Sequence, residues 1–235
     1  MIALGNWLFK HRNALFPIAF LLVFLPGPRF FSEQLVATIV GASIAFSGQL
    51  VRVVTIGLKY IVRGGRDRRV YAQDLVVDGL YSHCRNPMYA GNLLILLGVA
   101  IASNSWTCVL LALPLFGFVY AAIVAAEEQY LHGKFGELFD AYVRDVPRWA
   151  PKLDGLASTL RACQFRWRRV LAKEYGTPFA WISGICLIGI WNLWRDGHFH
   201  TQLHVAEALA SATLVATLVW GLIRVLKKRR VLVAD

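Results

Sequence analysis

The chain has 235 residues, of which 57% are hydrophobic, and a mean hydropathy of +0.52. That is too apolar for a soluble domain of this length and fits a polytopic helical membrane protein. The net charge of +11 would suit nucleic acid only if the basic residues formed one face with base-stacking aromatics. They fall instead between apolar runs, where anionic lipid headgroups are the natural partner, so membrane lipids are expected and nucleic acid is not.

The first apolar run, Ala14 to Leu25, follows Lys10, His11 and Arg12 and stops at Pro26-Gly27-Pro28. It is shorter than the ~20 residues a bilayer needs, so it must borrow Phe30 and Phe31 or tilt little. A signal peptide is the competing reading, but no small-residue cleavage site follows promptly. Leu35 to Leu58 is a clear span, with Gly41, Ser43, Ser47 and Gly48 as small faces for helix packing. Arg52 within it fits either snorkelling to the interface or facing an interior cavity. A polar loop, Lys59 to Asp78, follows, with Gly64-Gly65 breaking any helix.

Pro87 suits the first turn of a helix, where its missing N–H costs nothing, and the apolar pattern then runs from Met88 to Ala102. Ser103-Asn104-Ser105 makes a tight polar turn, and Trp106 to Ala126 returns with a kink expected at Pro114. From Glu127 to Tyr142 the helical pattern turns polar, as one continuous or slightly bent helix that Pro147 and Pro151 end. Leu156 to Tyr175 reads as a single amphipathic basic helix lying on an anionic surface, with Leu160, Cys163, Trp167, Val170 and Leu171 on its apolar face. Two more spans follow, Phe179 to Trp194 and Leu203 to Leu226.

Of the 25 lysines and arginines, all but Arg29, Arg52 and Arg195 fall on one side of this six-span arrangement. The positive-inside rule then makes both termini and both long loops cytosolic. A bacterial inner membrane and the endoplasmic reticulum fit equally. The scattered cysteines Cys84, Cys108, Cys163 and Cys186 indicate neither a disulfide framework nor a zinc site. His198, His200 and His204 have metal-like spacing without carboxylate company, so no metal site is expected.

Two polar clusters meet at the cytosolic face. Tyr81, Arg85, Asn86, Pro87 and Tyr89 lie where the third helix begins, and Glu127, Glu128, Tyr142 and Arg148 lie where the fourth ends. A transmembrane hairpin makes them neighbours, with water on one side and lipid on the other.

In Gly79-Leu80-Tyr81, Arg85-Asn86-Pro87-Met88-Tyr89-Ala90-Gly91-Asn92, Glu127-Glu128, Leu131, Phe135-Gly136, Phe139, Tyr142 and Val146-Pro147-Arg148, the chain resembles the isoprenylcysteine carboxyl methyltransferase and phospholipid methyltransferase superfamily. The match runs from Asp78 to Trp149 and leaves the basic surface helix and the last two helices uncovered. The resemblance implies an integral membrane enzyme that takes S-adenosylmethionine from the cytosol and a lipophilic methyl acceptor from the bilayer. Asn86 stands where the family often has His; it can donate and accept hydrogen bonds but cannot act as a base near neutral pH.

On this reading residues 1–58 are N-terminal transmembrane helices and 59–152 are the cofactor-binding catalytic core. Residues 153–177 are the surface helix, and 178–235 are two further transmembrane helices with a basic tail. Those last helices fit either a pocket wall or a dimer contact. Methyl transfer asks mainly for alignment and exclusion of water, because a methyl on a sulfonium is already activated. Glu127 and Glu128 suit the cofactor's ammonium or ribose hydroxyls, Arg85 its carboxylate, and the aromatic faces of Tyr81 and Tyr89 its adenine or sulfonium. Asn86, Pro87 and Tyr142 complete the cofactor set, and Arg148 with Glu128 is the expected catalytic pair, Arg148 orienting an acidic acceptor group.

Each feature also has a plainer reading. Glu127-Glu128 could be solvated charge at a helix end, Pro87 and Gly91 purely structural, and Tyr89 a core tyrosine with a bonded hydroxyl. Two rival functions remain open at this point. One is an NADPH-dependent membrane reductase of the sterol reductase type, which the Glu127-Glu128 pair disfavours. The other is a non-catalytic lipid-binding protein that kept the fold, for which Asn86 is the hint.

Overall fold

Lipid tails are as apolar as leucine, so helices in a bilayer associate where small residues let backbones approach. The computed structural model, which describes residues 1–59, 61 and 70–232, is organised by such contacts. Its helices are α1 (Ile2–Phe20), α2 (Gln34–Leu58), α3 (Pro87–Ala102), α4 (Trp106–Phe135), α5 (Glu137–Asp145), α6 (Leu156–Ala162), α7 (Trp167–Glu174), α8 (Gly176–Arg195) and α9 (Leu203–Lys228). No strand occurs among the described residues. Four helices, α2, α4, α8 and α9, are long and apolar enough to cross a membrane, and α3 is a shorter apolar helix. The fold is an all-helical polytopic bundle.

The centre is the α2–α3 pair. Gly41 of α2 lies against the Gly98 carbonyl and Ala102, and Gly48 lies against the Gly91 carbonyl and Ile95, so the two helices run antiparallel in backbone contact. Gly5 of α1 meets Ala122 of α4 in the same way, and Phe16 packs edge-on against Phe116 and Tyr120. Gly189 of α8 receives Leu209 of α9, while Phe179 stacks on Trp220. The resulting directions alternate through α1, α2, α3, α4, α8 and α9. One face of α9, with Leu214, Leu218 and Leu222, is exposed, as a lipid-facing surface would be.

The N-terminal helix departs from expectation. It begins at Ile2 rather than Ala14 and places Lys10, His11 and Arg12 inside the helix. Nothing between Ile2 and Ala14 breaks a helix, and the Gly5–Ala122 contact with buried Leu8 and Phe9 holds the early turns on α4. Pro17 is accommodated within α1, and Pro114 within an uninterrupted α4. The expected polar loop falls largely outside the described residues, including Arg63, Arg66, Arg68, Arg69 and Gly64-Gly65.

The turn 103–105 is polar, as expected, but buried. Asn104 adopts a left-handed conformation (φ 52°), which Asn tolerates better than most residues. Its side chain accepts from the Phe30 and Phe31 N–H groups and donates to the Phe31 carbonyl, which pins the α1–α2 connection to the α3–α4 turn. Ser105 caps α4 by accepting from the Cys108 N–H and donates to the Leu25 carbonyl. Asn104→Ala strands two backbone donors in an apolar setting; we expect a loss of about 1–3 kcal/mol, read as a lowered midpoint of thermal unfolding in detergent.

Two further expectations are corrected. The polar continuation of α4 is not one helix: Gly136, with φ 52°, ends α4 and starts α5. The single surface helix is two helices, α6 and α7, separated by an extended turn at Cys163. The break arises because the Arg166 N–H donates to the Gly57 carbonyl at 3.0 Å and the Phe165 ring occupies the space above Gly57. Val170 then packs with Ile56 and Met88, so α7 docks on the bundle instead of lying flat.

Candidate active site

Helical register decides what faces the interior. On α3, Tyr89, Asn92 and Leu96 recur at three- and four-residue spacing; on α4, Phe116, Tyr120, Ile123, Glu127 and Leu131 do the same. All of them line one cavity of about 1220 Å³. Its remaining walls come from α1, α2, α5, α7, α8, α9, Ile61, the segment 70–76 and the stretch 81–86 that leads into α3.

At the outer end the two sequence clusters meet. The Tyr89 hydroxyl donates to Glu127 Oε1 at 2.8 Å. Glu128 is gripped by two arginines: Arg148 donates from Nε at 3.1 Å and from Nη2 at 2.5 Å, and Arg85 Nη2 lies 3.3 Å away. Arg85 also donates from Nη1 to the Val143 carbonyl at 3.3 Å.

The backbones behind these side chains are stitched together. The Arg85 N–H donates to the Pro147 carbonyl and the Lys152 N–H to the His83 carbonyl, both at 2.9 Å. Asn86 Nδ2 donates to the Arg148 carbonyl at 3.2 Å, and Cys84 Sγ points to the Arg148 and Trp149 carbonyls. Burial raises the Cys84 thiol above its ordinary range, which keeps it a protonated, inert donor here. The Tyr142 hydroxyl is pushed well up, chiefly by burial, and donates to the Tyr81 carbonyl at 2.7 Å.

Of the residues expected at the site, Tyr81, Arg85, Asn86, Tyr89, Glu127, Glu128 and Tyr142 line the cavity. Pro87 is buried as the first residue of α3, off the cavity wall. Arg148 also lies off the wall, and half of its side chain is exposed; it reaches the site through Glu128. Sequence reasoning gave no site role to Arg12, Asn92, Tyr120, Thr177 and Trp181, all of which line the cavity. Asn92 and Tyr120 were findable by helical spacing from Tyr89 and Glu127. Arg52 faces the cavity and does not snorkel: it pairs with Glu174 at 2.5 Å in a nearly fully buried contact.

The residues fit a zwitterionic nucleotide. Arg85 Nε is buried and has no hydrogen-bond partner among the described residues, which leaves a guanidinium position for a ligand carboxylate. The carboxylate of Glu127 and the rings of Tyr81, Tyr89 and Tyr120 offer anionic and π surfaces for the cationic parts.

Comparisons with known proteins identify the family. The phospholipid methyltransferase family profile matches residues 36–138. The chain is 30% identical over 154 residues to the cobalt-zinc-cadmium resistance protein CzcN of Cupriavidus metallidurans, covering 64% of this chain and 68% of that one. It is 34% identical over 80 residues to the nickel-cobalt-cadmium resistance protein NccN of Alcaligenes xylosoxydans xylosoxydans, covering 34% of this chain and 37% of that one. It is 33% identical over 78 residues to the protein-S-isoprenylcysteine O-methyltransferase of Schizosaccharomyces pombe, covering 33% of each. No solved structure matches. These matches favour the methyltransferase reading over the reductase one. Two clusters in register on one hairpin, the profile across α2 to α5 and a relative matched over two thirds of its length together place this chain in the isoprenylcysteine carboxyl methyltransferase and phospholipid methyltransferase superfamily of integral membrane proteins.

Proposed function

We propose that this protein is an S-adenosylmethionine-dependent methyltransferase acting on a lipophilic acceptor, a prenylcysteine-like carboxylate or a phospholipid amine, at the cytosolic membrane face. The observation that carries the reading is one continuous cavity, polar at the Glu127–Glu128 end and apolar at the end lined by Phe16, Phe20, Ile95, Leu96 and Phe116. Its volume of about 1220 Å³ exceeds the roughly 300–1,000 Å³ of an ordinary small-molecule site, leaving room for two reactants. The basic loops support a cytosolic placement of the outer end.

When bound, S-adenosylmethionine supplies a methyl group on a sulfonium whose departure leaves a neutral thioether. The protein's part is placement. Arg85 holds the cofactor carboxylate, Glu127 accepts from its ammonium or ribose hydroxyls, and Tyr81 and Tyr89 present aromatic faces. Glu128 fixes Arg85 and Arg148 together, so Arg148 is held at the rim to orient the acceptor. The apolar inner lining of Phe16, Phe20, Ile95, Leu96 and Phe116 disfavours water beside the acceptor, which favours its attack over hydrolysis.

The test is direct. Purified protein in detergent is expected to bind S-adenosylhomocysteine saturably by calorimetry, and membranes containing it should transfer labelled methyl to a prenylated cysteine or to phosphatidylethanolamine. Absence of both binding and transfer would end the assignment.

A further inference from the structure

Glu174, at the end of α7 and outside the matched family region, is buried to 2% side-chain exposure on the far side of the cavity wall. Its carboxylate takes Arg52 in a bidentate grip, Nε to Oε1 at 2.5 Å and Nη2 to Oε2 at 2.8 Å, and accepts from Gln49 at 3.1 Å. Gln49 in turn accepts from the Trp181 indole N–H at 3.2 Å. Arg52 also donates from Nη2 to Thr177 at 3.1 Å and from Nη1 to Asn92 Oδ1. Asn92 and Tyr120 both line the cavity beside this pair. The Arg52 stem lies against Gly91, where any Cβ would meet its Cγ at 2.6 Å.

This network is costly as a purely structural device. Buried ion pairs are often no more stabilising than well-packed apolar residues, and ionisable groups inside membranes mark pathways and ligands. Its place is informative. Asn92 lies three residues beyond Tyr89 on α3, and Tyr120 seven before Glu127 on α4, so the Arg52–Asn92 edge sits one to two turns, at ~5.4 Å each, below the outer cluster. It stands between that cluster and the apolar end. Glu174 cancels the charge of Arg52 and Asn92 fixes its Nη1 at the cavity wall, so the wall offers a directional donor instead of a bare cation.

We propose that Glu174 is a positioning residue for the methyl acceptor: it locks Arg52 against Asn92 as the donor edge that receives the acceptor's polar end below Tyr89 and Glu127, with the tail in the apolar chamber. The proposal rests on the methyltransferase reading and adds that the segment carrying α7 and α8 supplies the support for acceptor binding.

The experiment compares wild type, Glu174→Asp and the double variant Arg52→Met with Glu174→Leu, which removes both charges together and so avoids a stranded buried ion. S-adenosylhomocysteine affinity is measured by calorimetry, and KM and kcat are measured with a farnesylated cysteine and with phosphatidylethanolamine vesicles as acceptor probes. The double variant is expected to raise the acceptor KM at least tenfold while S-adenosylhomocysteine affinity stays within twofold. Glu174→Asp should recover most of the loss. An unchanged acceptor KM in the double variant, or a loss confined to cofactor affinity, overturns the role of Glu174. A wild type that neither binds S-adenosylhomocysteine nor methylates either probe is a separate result: it overturns the methyltransferase reading and this proposal with it.

Discussion

Glu128→Gln is expected to lower kcat/KM by about a hundredfold or more, which corresponds to ~2.7 kcal/mol of lost transition-state stabilisation. The carboxylate is the shared counter-ion of Arg85 and Arg148, with its own side chain only 16% exposed. An amide keeps the size but offers one acceptor oxygen and no charge, so two guanidinium groups are left to repel each other across the site. Because the Arg148 side chain is half exposed, water screens part of that penalty, and the fold should survive. The discriminating control is Arg148→Lys. It keeps the charge but not the fork that engages both Glu128 oxygens, and it should fall between wild type and Glu128→Gln in initial-rate assays with labelled methyl donor. Full activity in Glu128→Gln would show that the arginine clamp plays no part in turnover.

The second large effect concerns folding. Gly98→Val is expected to prevent stable assembly, because a Cβ there would run into the Gly41 carbonyl and the Ala45 N–H of α2, both rigid backbone atoms, at a distance no real Cβ adopts. Overpacking in a well-packed core costs about 1–3 kcal/mol when side chains can yield; backbone cannot, so α2 and α3 must separate. Gly117→Val on α4 has nothing within 4 Å of the new Cβ and serves as the matched control. Size-exclusion profiles and thermal unfolding of the two variants in the same detergent check this. Wild-type behaviour of Gly98→Val would refute the contact between α2 and α3.

These contrasts show why some of the molecule was legible in the sequence. The α3–α4 hairpin could be read because two apolar runs, a proline at a helix start and a short polar turn are local signals. That hairpin then brings Tyr89 to Glu127, and the backbone pairing of 83–86 with 147–152 brings Arg148 to Glu128. What could not be read was long-range. Arg52 was ambiguous because its partner, Glu174, lies across the bundle and 122 positions away in the chain, beyond the reach of any local pattern. The break at Cys163–Arg166 was hidden for the same reason: the apolar pattern from Leu156 to Tyr175 is helical throughout, and only docking of Phe165 over Gly57 interrupts it. The early start of α1 was missed because charge was read as a boundary, whereas Arg12 is turned into the cavity.

The backbone ties between residues 83–86 and 147–152 carry a consequence for how such chains diversify. Two stretches more than sixty positions apart are sewn into a single plate, so neither can drift alone without shifting the other's side chains. Chimeras exchanging only one stretch between distant relatives should lose cofactor affinity, while those exchanging both as a unit should keep it.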